Sequence, residues 1–172
     1  MNPRSAMPYL FLLICFMIGA DSSDTQPAAD EGSPVDGRQL ILRADHKRYD
    51  FGENIRLDVD LKNVGADAID VARASYFPYT LAVVTPAGKD AQRTEWGKQQ
   101  DEYGLAGSAT VVRLRPGETT TETFPILNRA FDMSINGEYR VTVSAWPGAG
   151  GTTKRTNLVS NTIIVRVGPP GS

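Results

Sequence analysis

Asn136-Gly137-Glu138-Tyr139-Arg140-Val141-Thr142-Val143 is the stretch on which the fold turns. Asn-Gly is a turn signal, and after it Tyr139, Val141 and Val143 alternate with Glu138, Arg140 and Thr142. A period of two puts one set of side chains inward and the other in water, the pattern of a half-buried strand. Working toward the N-terminus, Ile55, Leu57, Val59 and Leu61 alternate in the same way with Arg56, Asp58, Asp60 and Lys62. Leu40 and Leu42 mark a less regular first strand, and Asp50-Phe51-Gly52-Glu53 reads as the turn between the two. Asn63 to Asp67 is a turn before Ile69 and Val71. Thr80 to Thr85, Val111 to Leu114, Thr119 to Phe124 and Thr162 to Val167 add further strands, with turns at Pro86-Ala87-Gly88, Pro116-Gly117 and Pro147-Gly148. Only Leu127 to Met133 suits a helical turn or two, and there is no internal repeat. Seven to eight short strands without a long amphipathic helix predict an all-β, antiparallel β-sandwich of two sheets.

Tyr139, placed just after a turn at the start of a late strand, resembles the tyrosine corner of immunoglobulin-like sandwiches. There the hydroxyl returns to nearby backbone, so a polar group fixes the corner without being stranded in the core. Val141 stands where antibody domains carry a cysteine two residues later, so the resemblance is to a disulfide-free relative. Tyr49-Asp50-Phe51-Gly52-Glu53, Leu57 to Asn63, Leu114-Arg115-Pro116-Gly117-Glu118, Asn136-Gly137-Glu138-Tyr139 and Val159-Ser160-Asn161-Thr162 follow in that order. Together these phrases, over residues 38–168, look like the immunoglobulin-like modules of exported bacterial proteins. The layout is similar to BsuPI-type proteinase-inhibitor domains and to the N-terminal accessory domain of deuterolysin-like metallopeptidases. The resemblance implies an accessory or inhibitory role. It does not imply protease chemistry, because His46 is the one histidine and a zinc-binding His-Glu-x-x-His motif is absent. No reactive-loop motif is present to carry inhibition over to particular residues.

The 172 residues suit one ordinary domain, and 41% hydrophobic, 22% charged side chains with a net charge of -2 describe a globular chain. Residues 1–20 read as a signal peptide, with Arg4 before the apolar run Met7 to Ala20 and the small Ala20 ahead of Asp21. That run of 14 residues is shorter than the roughly 20 a spanning helix needs, so no stable membrane span is expected after signal removal. Cys15, the one cysteine, does not suit lipidation, because Ile14 precedes it and Phe16-Met17-Ile18 follow. Residues 21–37 form an acidic leader with Asp21, Asp24, Asp30, Glu31 and Asp36, expected to be flexible because Val35 is its one sizeable apolar side chain. The sandwich is expected over 38–168, with 169–172 as a tail. The expected location is therefore periplasmic or extracellular.

The connection from Asp90 to Ala109 is the longest with little strand pattern, and long connections are where sandwiches carry recognition. Trp96 and Tyr103 could lie against a sugar face or a partner's apolar patch, with Glu95 and Lys98 orienting it. Trp96 also suits a plug at the end of the core. Tyr76-Phe77-Pro78-Tyr79 reads as cross-strand packing or a platform, and Trp146 with Pro147 to Gly151 as a mobile loop without the phosphate-binding ending. Glu95 with Asp101 or Glu102 is the one carboxylate pair worth weighing for acid/base work, in an exposed loop that gives no reason for a raised pKa. His46 lacks a serine elbow, and Asp58, Asp60, Asp67 and Asp70 lack calcium-loop spacing, with Asp58 and Asp60 at outward strand positions. Neither catalytic residues nor a metal or other cofactor is assigned. Basic clusters are limited to His46-Lys47-Arg48 and Lys154-Arg155, so nucleic acid is not an expected partner. These readings converge on an exported, non-catalytic module that binds a protein or glycan partner. The alternatives are a BsuPI-type proteinase inhibitor and, last, a hydrolase.

Overall fold

In the computed structural model, which describes residues 31–74, 79–103, 109–124, 126–145 and 158–170, the inward set of the opening stretch is sealed. Tyr139, Val141 and Val143 are each 0% exposed, on the strand Gly137–Ala145. Nine strands and two helices occur among the described residues: β1 (Arg38–Ala44), β2 (Arg48–Asp50), β3 (Leu57–Asn63), β4 (Ile69–Ala74), β5 (Tyr79–Val84), α1 (Glu95–Tyr103), β6 (Ala109–Leu114), β7 (Thr119–Phe124), α2 (Leu127–Ala130), β8 (Gly137–Ala145) and β9 (Ile163–Gly168). One sheet has the order β1-β3-β7 and the other β2-β9-β8-β5, while β4 and β6 form a two-stranded pair. Leu40, Leu42, Leu57, Val59 and Leu61 from the first sheet share one buried core with Tyr139, Val141, Val143 and Val165 from the second. The sequence-predicted strands are all present, in an all-β, immunoglobulin-like sandwich.

Two expectations need correction. The chain does not pass from β1 directly through the Asp50–Glu53 turn into β3. It first crosses to the other sheet as β2, which pairs parallel with β9, and then turns at Gly52, where φ is +80°. Buried Tyr49 between exposed Arg48 and Asp50 is too short a pattern to stand out as a strand. Asp60, read as an outward position, is only 6% exposed. The Arg43 guanidinium lies 2.7 Å from its carboxylate, and the Thr121 hydroxyl donates to it at 2.7 Å, so neighbouring strands cover it.

The tyrosine corner is present. The Tyr139 hydroxyl donates to the Ile135 carbonyl at 2.9 Å and accepts the Ile135 N–H at 3.0 Å. Burial pushes its phenol pKa up, and the accepted N–H works against that rise. Tyr139→Phe keeps the packing but leaves two backbone groups without their partner, so unfolding free energy should fall by about 2 kcal/mol in denaturant titration. Tyr49 makes a second such lock: its hydroxyl accepts the His46 N–H at 2.8 Å and donates to Asp45 Oδ1.

Polar side chains also tie the sheets together. Asn161 joins β1 to the approach to β9, with Oδ1 accepting the Leu42 N–H at 2.7 Å and Nδ2 donating to the Leu42 carbonyl at 3.0 Å. Asn63, 0% exposed, donates to the Asp67 and Leu114 carbonyls and so joins the end of β3 to the end of β6. Upstream of β1, Val35 and Arg38 exchange backbone hydrogen bonds of 2.8 and 3.0 Å around Asp36 (φ +48°) and Gly37 (φ +72°), an Asp-Gly hairpin turn. Gly32 is buried close to the Leu40 and Val159 carbonyl oxygens, and its own carbonyl accepts from Gln39 Nε2 at 3.1 Å, so the acidic stretch is pinned to the sandwich at Gly32. Residues 1–20, read from the sequence as a signal peptide, lie outside the described residues, and Cys15 with them.

Candidate functional site

The connection after β5 is not the irregular loop expected from the sequence. Ala91 N–H first extends β5 by donating to the Val83 carbonyl at 2.7 Å, and α1 then runs from Glu95 to Tyr103. Thr94 caps that helix: its Oγ1 accepts the Gly97 N–H at 3.0 Å, and its carbonyl accepts the Lys98 N–H at 3.0 Å. The same hydroxyl donates to the Arg129 carbonyl, and the Thr94 N–H donates to that of Ala130 at 3.1 Å, joining α1 to α2. A threonine followed by an acid in the first turn is a recognisable helix start. It was masked because Trp96 and Tyr103 are the only large apolar residues in the segment, too few for a helical stripe.

Trp96 is half-buried, packed against the core from α1, and the Arg129 guanidinium carbon lies 5.0 Å from its ring centroid. A parallel arrangement next to it sets Arg93 over Phe131 at 4.2 Å. Such cation–π contacts hold long side chains flat on an aromatic face. Glu95 and Lys98 form a 2.6 Å ion pair on the open side of α1, with side chains 84% and 57% exposed. Exposed pairs of this kind contribute under about 1 kcal/mol and leave both groups accessible to a partner. The structure therefore brings Trp96, Glu95 and Lys98 onto one short helix. Tyr103 ends the same helix, but its side chain, like those of Asp101 and Glu102, lies outside the described residues, as do Tyr76, Phe77, Trp146, Gly148 to Gly151 and Lys154-Arg155.

Beside α1 the surface is concave. Between the β2–β3 turn and the exit from α2, a depression of about 380 Å³ is lined by Phe51, Gly52, Thr94, Asn128, Phe131, Asp132, Met133 and Ser134. Phe131 and Met133 are buried and form its floor, whereas Phe51 is 44% exposed at its wall. Asn128 Oδ1 accepts the Ile55 N–H at 3.2 Å, which fixes the amide plane. Asp132 Oδ1 accepts the Ser134 N–H at 3.1 Å, leaving the second carboxylate oxygen and the serine hydroxyl outside that bond. Sequence reading missed this site. The available signal was Phe51 beside Gly52, a large aromatic residue at a turn tip.

Other candidates resolve differently. His46 is exposed and meets the Tyr49 ring edge-on at 5.9 Å. Asp58 and Asp60 accept hydrogen bonds from Thr123 and Thr121, and among the described residues no group of three or more His, Cys, Asp or Glu side chains is placed to hold a metal ion. Tyr79 is half-buried against the core; burial first, then Glu122 and Asp60, push its phenol pKa up. Among the described residues, no helix is long and apolar enough to cross a membrane.

These features define an immunoglobulin-like β-sandwich module with a short helical layer at one end. No protein-family model matches the chain, and no curated protein matches it. Solved structures similar to it include the CARDB domain of a Pyrococcus furiosus protein in complex with di-metal ions, at 15% identity, covering 80% of this chain and 99% of that one, with a TM-score of 0.41. The C-terminal domain of Wzt is 16% identical, with 84% of this chain and 83% of that one covered and a TM-score of 0.44. A β-glucosidase from Listeria innocua is 16% identical with a TM-score of 0.37, and the match spans 76% of this chain but 16% of the glucosidase. At these scores and identities the likenesses carry no argument about activity or ligand. The narrower resemblance to BsuPI-type and deuterolysin-like domains is not shown by them.

Proposed function

We propose that this chain is an exported, non-catalytic binding or accessory module that recognises a protein or glycan partner outside the cytoplasm. The observation that supports this reading is the seat of Trp96. An indole is held half-buried on a capped helix, between the core and the Arg129 guanidinium, with the Glu95–Lys98 pair beside it. Aromatic anchors that are already ordered lose little conformational freedom on binding, which is why they dominate recognition surfaces. Tyr103, at the end of the same helix, is the second residue assigned to this surface. The export reading rests on the composition of residues 1–20.

The test is quantitative capture from an envelope extract by the native chain, Trp96→Ala and Tyr103→Ala, with the captured material identified. Capture should fall about tenfold for Trp96→Ala, the loss expected of a truncated anchor. Equal capture by all three folded proteins would remove α1 from the recognition surface. Stoichiometric inhibition of a protease would replace this reading with the inhibitor.

A further inference from the structure

We infer that the depression between the β2–β3 turn and the α2 exit is a saccharide subsite that takes a neutral pyranose unit of a glycan. This rests on the reading of the chain as a binding module and narrows its partner to carbohydrate. The volume of about 380 Å³ falls in the range of small-ligand clefts, roughly 300–1,000 Å³. The lining combines the two kinds of group that a sugar ring engages. Phe51, 44% exposed, offers an aromatic surface to the C–H side of a pyranose, over an apolar floor of Phe131 and Met133. In the same lining, the Asp132 carboxylate, the Ser134 hydroxyl and the Asn128 amide can exchange hydrogen bonds with ring hydroxyls.

The charge pattern argues against an ionic ligand. The depression has no cationic lining residue for an anion, and the nearby Arg93 guanidinium is laid over the Phe131 ring at 4.2 Å. Asp132 is the one charged lining group; it is exposed, and one of its oxygens already accepts the Ser134 N–H. A carboxylate oxygen accepting from a sugar hydroxyl makes a charge-assisted hydrogen bond without requiring a charged ligand. The supports are also fixed: Asn128 is held by Ile55, and Asp132 N–H donates to the Gln92 carbonyl at 2.8 Å.

The purified chain is titrated separately with cellohexaose, maltohexaose, laminarihexaose and the hexamer of N-acetylglucosamine, and amide NMR shifts are followed. At least one probe should shift Phe51, Gly52 and residues 131–134, with a dissociation constant unchanged between low and high salt. Phe51→Ala should weaken that binding about tenfold, equivalent to roughly 1.4 kcal/mol of lost stacking. Asp132→Asn should weaken it several-fold, while Ile164→Ser, on the exposed face of β9, should leave it unchanged. Absence of shifts with every probe, shifts confined to other residues, or affinity that collapses with salt would each overturn the subsite. A protein captured from extract that is lost in Trp96→Ala but kept in Phe51→Ala, with no oligosaccharide bound, would sink the saccharide and leave the binding module standing. Neither capture nor oligosaccharide binding would sink both.

Discussion

Replacing Asn161 with alanine should lower the free energy of unfolding by about 3 kcal/mol, measured from the denaturant midpoint at constant slope. The Leu42 N–H and carbonyl both depend on this one side chain, at 2.7 and 3.0 Å. Leu42 is 0% and Asn161 6% exposed, so water has no ready route to either group after the change. A buried donor or acceptor left without a partner costs about 1–3 kcal/mol, whereas a satisfied hydrogen bond contributes only about 1. Two orphaned groups therefore outweigh the gain from freeing a side-chain amide. Against a typical stability of about 5–15 kcal/mol, this is a large share. Asn161→Asp should be worse still at neutral pH, because it removes the donor to the Leu42 carbonyl and sets a carboxylate against that oxygen. A loss under about 1 kcal/mol in Asn161→Ala would mean that β1 is held to the second sheet by packing alone.

How far such features could be read from the sequence depends on how local their cause is. Alternation is local, so the centres of β3 and β8 were legible, though their ends shift by two residues, and so was the corner made by Tyr139 with Ile135 four residues away. The Val159-Ser160-Asn161-Thr162 phrase was visible as a phrase, but its work is done on Leu42, 119 residues distant. The parallel pairing of β2 with β9 escaped for the same reason, since three residues carry no period and the partner lies at the far end of the chain. At the candidate site, Trp96, Glu95 and Lys98 were identifiable as residue types, but their helical seat was not. That seat depends on the capping bonds of Thr94 to α2, and the neighbouring depression is assembled from residues 51–52, 94, 128 and 131–134. Its aromatic wall and polar rim meet only after the two sheets have closed.

Gly97 shows how closely that seat is built, and Gly97→Ala should dismantle it. A Cβ at position 97 would overlap the Ala130 carbonyl oxygen and lie 3.0 and 3.1 Å from the Ala130 carbonyl carbon and Cα. All three are backbone atoms, so no side-chain rotation relieves the clash, and α1 must move away from α2. Two effects oppose each other. Alanine in a helix interior is favoured over glycine by about 1 kcal/mol, whereas forcing extra volume into a packed contact costs about 1–3 kcal/mol and sometimes more. Moving α1 also strains the Thr94 N–H bond to Ala130 and its hydroxyl bond to Arg129, each worth about 1 kcal/mol. The steric and hydrogen-bond costs exceed the propensity gain, so the net expectation is a loss of about 2–3 kcal/mol. The displacement also takes Trp96 from beneath Arg129, now 5.0 Å from its ring centroid, and exposes the indole to water. In a Trp146→Phe background, where Trp96 is the one remaining tryptophan, its emission should shift to the red in Gly97→Ala and capture of the partner should fall with it. Unchanged emission together with unchanged stability would show that α1 can shift along α2 without disturbing the indole.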